Sequence, residues 1–201
     1  MDSDRAARAG KLIAATRALC LAGALALAAT AAKAQEWQSE VNENGVGTAT
    51  VTTDAVLGEH AAPAAVRFQC ADGEGGTLSI LLIVRDTRFV PDFPFDTFEG
   101  PDAVTRERPL YRVEVGGESV GFGFDLYVDG WYVEQYAFVF GHAARNGTDS
   151  QVARIADAVR KGATTMTVGV AMPDGSDRWL LAKVPMTNAA AAVAEVTEPC
   201  R

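Results

Sequence analysis

The sequence predicts a mainly β, single-domain antiparallel β-sandwich with one amphipathic helix and a short C-terminal helix. Three observations carry that prediction. Alternating apolar runs recur from Gly47 to Met186, turn signals rich in Gly and Asp separate them, and only Val152–Val159 has a clear helical period.

Residues 1–34 place Arg5, Arg8, Lys11 and Arg17 around the start of an apolar run, Ala18 to Ala32, and close on Ala32-Lys33-Ala34. That order predicts a secretory signal peptide cleaved after Ala34. The run is about 15 residues, short of the roughly 20 that span a bilayer, so no stable membrane insertion is expected. Arg17-Ala18-Leu19 ahead of Cys20 does not fit a lipoprotein signal, and Arg5 and Arg8 are not the adjacent pair of a twin-arginine signal. The expected location is periplasmic or secreted, with residues 35–201 as one domain.

Val66–Arg85 is the expected structural centre. Val66, Phe68 and Cys70 alternate with Arg67 and Gln69, as in a half-buried strand. A glycine-rich turn follows, and Thr77–Val84 is an almost continuous apolar run that predicts a central strand. The turn is acidic and precedes a strand rather than a helix, which argues against a phosphate cradle. Upstream, Gly47–Thr53 predicts an early strand, while Gly58, His60 and Pro63 mark Ala55–Ala64 as a loop. The lone His60 is expected to be solvated.

Downstream, Leu110–Val115 and Phe122–Val128 alternate as strands. Asp129-Gly130 carries a hairpin signal, and Trp131–Phe140 is apolar on both faces. Thr148 and Gln151 fit a capping box opening a helix, which Arg160-Lys161-Gly162 closes. Thr164–Met172 and Arg178–Met186 predict strands around the Pro173–Asp177 turn, and Asn188 is placed to cap the last helix.

Cys70 and Cys200 are the two cysteines beyond residue 34, and in an oxidising compartment they are expected to pair. Residues 35–201 hold 13 basic and 24 acidic residues, a formal charge of −11. Such a chain repels phosphate backbones, so nucleic acid is excluded and a cationic partner is favoured. No cofactor or metal motif is present in the sequence.

Asp86–Pro109 differs in kind, with four prolines and with Phe89, Phe93, Phe95 and Phe98 among scattered acids. So many breakers preclude regular structure, and four phenylalanines argue against disorder. Two readings stand: the rings cap an open end of the core, or Phe89, Phe93, Phe95, Phe98, Asp92 and Asp96 form an acidic, aromatic partner-binding flap. Under the second, residues 91–100 are dispensable to the fold. Calcium at Asp92, Asp96 and Asp102 is a further alternative, although the spacing is not that of an EF-hand loop.

Gly117-Glu118-Ser119-Val120-Gly121 matches the G-x-S-x-G of a nucleophile elbow, and Asp125, Asp129 and His142 follow in triad order. An elbow needs a strand before the serine and a helix after it, whereas Phe122–Val128 reads as a strand. Glu134 between Tyr132 and Tyr136 has the composition of a carbohydrate patch, with sheet packing as the alternative.

Trp37, Cys70 followed by Asp72-Gly73, Arg112-Val113-Glu114, Lys161-Gly162 and the closing Cys200 together resemble small exported Gram-negative proteins of the VasI (type VI secretion-associated) and invasion-associated locus B kind. The Phe/Pro segment and the single cysteine pair depart from the locus B pattern. The resemblance implies a non-enzymatic cell-envelope β-sandwich. The expected function is therefore protein binding in the envelope, with inhibition of a cationic lysozyme-like enzyme as a variant. A small serine hydrolase using Ser119 and His142 is the rival class.

Overall fold

The computed structural model of the chain describes residues 35–71, 76–100, 108–117, 120–145 and 150–200. Residues from Gln35 onward form one compact unit. It is mainly antiparallel β with two helices, and its walls belong to one curled sheet.

Ten strands build the sheet: β1 (Gln38–Val41), β2 (Gly47–Leu57), β3 (His60–Ala71), β4 (Thr77–Val84), β5 (Tyr111–Gly117), β6 (Val120–Leu126), β7 (Asp129–Glu134), β8 (Ala137–Arg145), β9 (Thr165–Ala171) and β10 (Trp179–Val184). Their order is β6-β5-β9-β10-β2-β3-β4-β8-β7, with β1 paired to β2 off this path. Every pairing along the path is antiparallel, so β6 and β7, at its two ends, run in the same direction. Only Tyr127 and Val128 separate them, which limits the gap from Leu126 to Asp129 to about 11 Å. The opposite ends of the sheet therefore meet at one bent stretch of chain. His142 braces the bend through a 2.7 Å hydrogen bond between Nδ1 and the Tyr127 carbonyl.

Curling places one face of most strands inside. Val66, Phe68 and Cys70 on β3, Ile80, Leu82 and Val84 on β4, and Phe138 and Phe140 on β8 are all buried. Helix α1 (Gln151–Arg160) packs against β4, β5 and β8, and α2 (Ala189–Thr197) packs against α1, β1, β2 and β3. The helices thus cover the end of the sheet where Gly47 pairs with Cys70. Gly47 leaves room for α2, since a Cβ there would lie 3.1 Å from Val196 Cβ. The disulfide between Cys70 and Cys200, 130 residues apart, ties the chain beyond α2 to β3. The other end is closed by the Phe/Pro segment.

Several expectations need correction. Ala55–Ala64 is not a loop: β2 and β3 pair from Gly47↔Cys70 to Leu57↔His60, leaving only Gly58 and Glu59 to turn. Gly58 takes φ +60°, which suits glycine. Asp129-Gly130 is not a hairpin turn either. It opens β7, which pairs with β8, while β6 pairs with β5 at the far end of the path. Glycine at 130 serves packing, because a Cβ would lie 2.7 Å from Phe138 Cε1 and 2.9 Å from Phe98 Cβ. Trp131–Phe140 is likewise a hairpin, β7 to β8, rather than one strand.

Helix α1 starts at Gln151, and its cap is Ser150, whose hydroxyl accepts the Ala153 N–H at 3.1 Å. Gln151 is therefore the first helical residue, not the third, and Thr148 lies outside the described residues. Asn188 does stand at the start of α2, but it caps through a left-handed backbone (φ 65°) without a side-chain bond.

Candidate functional site

The Phe/Pro segment leaves β4 at Val84 and crosses the open end of the sheet in two short 3-10 turns, Thr87–Phe89 and Phe95–Phe98. Phe93, between the turns, and Phe95 and Phe98, in the second, turn inward and are 3%, 5% and 1% exposed. Phe93 and Phe98 stack at 5.5 Å between centroids, Phe98 meets Phe140 edge-on at 5.2 Å, and Phe95 lies 5.3 Å from Phe138. Aromatic pairs at these separations add about 0.5–1.5 kcal/mol each beyond the area they bury. Three of the four phenylalanines are therefore a plug for the core, and Phe89 alone, 55% exposed, remains at the surface.

The acids of the segment fasten it. Tyr132 donates its hydroxyl to Asp96 at 2.7 Å, and its N–H bonds Glu99 Oε1 at 3.1 Å, occupying a donor that β7 would otherwise offer at its free edge. Burial, with the Asp96 hydrogen bond second, pushes the Tyr132 phenol up to about 12. Asp86 accepts from Arg88 Nε at 2.9 Å and Nη2 at 2.6 Å, and that hydrogen bonding holds its carboxyl below the usual range. The same guanidinium lies 4.2 Å over the Tyr136 ring, while the Thr87 N–H donates to the Tyr136 carbonyl at 2.9 Å. Asp92 stands 3.9 Å from His60 Nε2 at the β2–β3 turn.

Four large side chains stand exposed around this fastening and are termed the ridge. Phe89 follows the residues docked on Tyr136, and Tyr136 (39% exposed) sits in the β7–β8 turn beside β7, which presents Val133 (52%) and Trp131 (38%). Trp131 rests over Gly141, where a Cβ would lie 3.1 Å from the indole Cη2. Sequence reasoning found Phe89 but missed Trp131, Val133 and Tyr136. For Trp131 and Val133 the available signal was parity: Tyr132 faces inward against Phe138 at 4.8 Å, so its two neighbours face out, whereas Tyr136 lies in the turn, where alternation gives no signal.

The remaining candidates are not assembled. Tyr132 and Tyr136 do not flank a patch at Glu134, since one ring is turned into the plug and the other lies under Arg88. Ser119 lies outside the described residues. Val120 opens β6, and the ring of His142 is bonded to the Tyr127 carbonyl. Gly117 ends β5 and pairs with Val120, so the element that begins at Val120 is a strand, not the helix an elbow requires. Among the described residues no group of three or more His, Cys, Asp or Glu is placed to hold a metal ion, and Asp102 lies outside them.

Fold and surface together define an antiparallel β-domain plugged by helices at one end and by phenylalanines at the other, with an aromatic ridge at the rim of the second plug. No protein-family model matches the chain, and no curated protein and no solved structure matches it.

Proposed function

We propose that this chain is an exported envelope protein, periplasmic or secreted, that binds another protein through the ridge of Phe89, Tyr136, Val133 and Trp131. One observation carries the reading: four large side chains stand exposed on stretches of chain that Arg88, Asp96 and Glu99 fasten at Tyr132 and Tyr136. Aromatic residues on a pre-ordered surface lose little entropy on binding and supply the anchors of protein interfaces. The excess of acids, −11 over residues 35–201, favours a cationic partner and speeds its encounter. The Cys70–Cys200 disulfide is compatible with an oxidising compartment, and the basic, apolar and small residues of 1–34 supply the address. The resemblance to exported proteins of the VasI and locus B kind points the same way.

Photo-crosslinking in the native host tests this. A photoreactive phenylalanine at position 89 or 136 is expected to yield one discrete crosslinked protein of basic pI. The same probe at Val41, exposed on β1, is expected to yield none. Equal labelling at all three positions, or no discrete product at 89 and 136, overturns the proposal.

A further inference from the structure

A second concavity lies on the outer face of β5, β9 and β10, on strands separate from the ridge. It is a groove of about 210 Å³ lined by Arg112, Glu114, Thr167, Gly169, Trp179 and Leu181. Its floor is Gly169: a Cβ there would lie 2.7 Å from Leu181 Cδ2 and 3.3 Å from Trp179 Cε3, so both side chains lean across bare backbone. Arg112 is directly opposite Gly169 in the β5–β9 ladder, and Glu114 is directly opposite Thr167. The Arg112 guanidinium lies 4.8 Å from the centre of the Trp179 ring and donates through Nε to Asp125 at 2.7 Å.

The polar groups of the groove are largely unspent. Arg112 has no hydrogen bond from its terminal nitrogens among the described residues, and neither the Glu114 carboxylate nor the Thr167 hydroxyl makes a side-chain hydrogen bond there, although Glu114 acts electrostatically on Arg112. Two charge-assisted donors, a carboxylate acceptor and a hydroxyl thus line one groove together with an isobutyl group and an indole over whose ring Arg112 lies. Asp125, Glu114 and Asp177 surround the one guanidinium, which disfavours an anion, and Arg112 beside the indole disfavours a cation. The volume falls below the roughly 300–1,000 Å³ of a drug-sized pocket, so it admits one ring.

We propose that this groove binds a single neutral sugar ring, its C–H face on Trp179 and Leu181 and its hydroxyls on Arg112, Glu114 and Thr167. A pyranose has the matching asymmetry, an apolar face bounded by an edge of donors and acceptors, and no net charge to meet the mixed field. This site is independent of the ridge.

The test follows the Trp179 indole N–H resonance, assigned through Trp179→Phe, while glucose, galactose, mannose and N-acetylglucosamine are each titrated into the protein. At least one is expected to shift it saturably, with a dissociation constant of roughly a millimolar. Glu114→Gln and Arg112→Lys change exposed or half-buried groups, so the rest of the spectrum is expected to stay folded while affinity falls roughly tenfold or more. No saturable shift with any of the four overturns the proposal. So does a shift that survives both variants, or one produced by lysine methyl ester and not by the sugars.

Discussion

The Tyr132 hydroxyl donates to Asp96 at 2.7 Å, and this bond joins the irregular Phe/Pro segment to the last strand of the sheet. Because the protonated phenol is the donor, the junction depends on pH. The folded pKa, about 12, stands above the ordinary value of 10, so the stabilisation is complete below pH 10 and is lost as pH rises through 12. Tyr132→Phe is expected to lose about 0.5–1.5 kcal/mol at neutral pH. Its stability is expected to fall less than that of the native chain between pH 10 and 12. Urea unfolding at stepped pH, followed by circular dichroism, measures both effects.

The four phenylalanines of the segment are expected to separate sharply. Phe98→Ala removes a side chain 1% exposed, stacked on Phe93 and edge-on to Phe140, and is expected to cost about 3–5 kcal/mol. Phe89→Ala, at an exposed site, is expected to stay within about 0.5 kcal/mol. Deletion of residues 91–100 is then expected to unfold the domain rather than leave it intact, since it removes Phe93, Phe95 and Phe98 together. Equal midpoints for the two alanine variants would refute the plug.

Reduction of Cys70–Cys200 is expected to destabilise the domain substantially. A cross-link closing 130 residues restricts the unfolded chain by up to about 5 kcal/mol, a ceiling that native-state strain lowers. Urea midpoints of the Cys70→Ser/Cys200→Ser double variant against the oxidised protein give the value. A difference under about 1 kcal/mol would show that α2 and its packing on β1, β2 and β3 hold the C-terminus without the bond.

Ser150→Ala is expected to cost about 1 kcal/mol, because the Ala153 N–H then loses its only acceptor from the cap. The same substitution at Thr148 is expected to cost less. Thermal denaturation of the two variants distinguishes the cap seen in the fold from the one the capping-box pattern suggested.

Strands were legible where the inward face is large and apolar, as at Val66, Phe68 and Cys70 or Met166, Val168 and Val170. Ala55–Ala64 was opaque because its inward positions are small: Ala55, Ala62 and Ala64 are buried, but alanine leaves no hydrophobic period to read. Asp129-Gly130 misled because a turn dipeptide describes only local preference. Here the contacts of Gly130 with Phe138 and Phe98 and the pairing of β7 with β8 decide the conformation. The phenylalanine segment was visible as composition, while the destination of each ring depends on sheet curvature. The sugar groove was invisible for a simpler reason: Arg112, Gly169 and Trp179 come from three strands, and only the fold sets them side by side.

The bend at Tyr127-Val128 gathers the two borders of the nine-strand path into one stretch of chain, Val120–Glu134, and no ladder joins β6 to β7 among the described residues. Unpaired strand borders are where foreign chains are recruited into fibrils. Most open sheets must guard two such borders in separate parts of the sequence. This path brings both of its borders to one seam, where the Glu99 carboxylate on the Tyr132 N–H already blocks part of the hazard, while β1, paired to β2 off the path, keeps an outer edge of its own among the described strands.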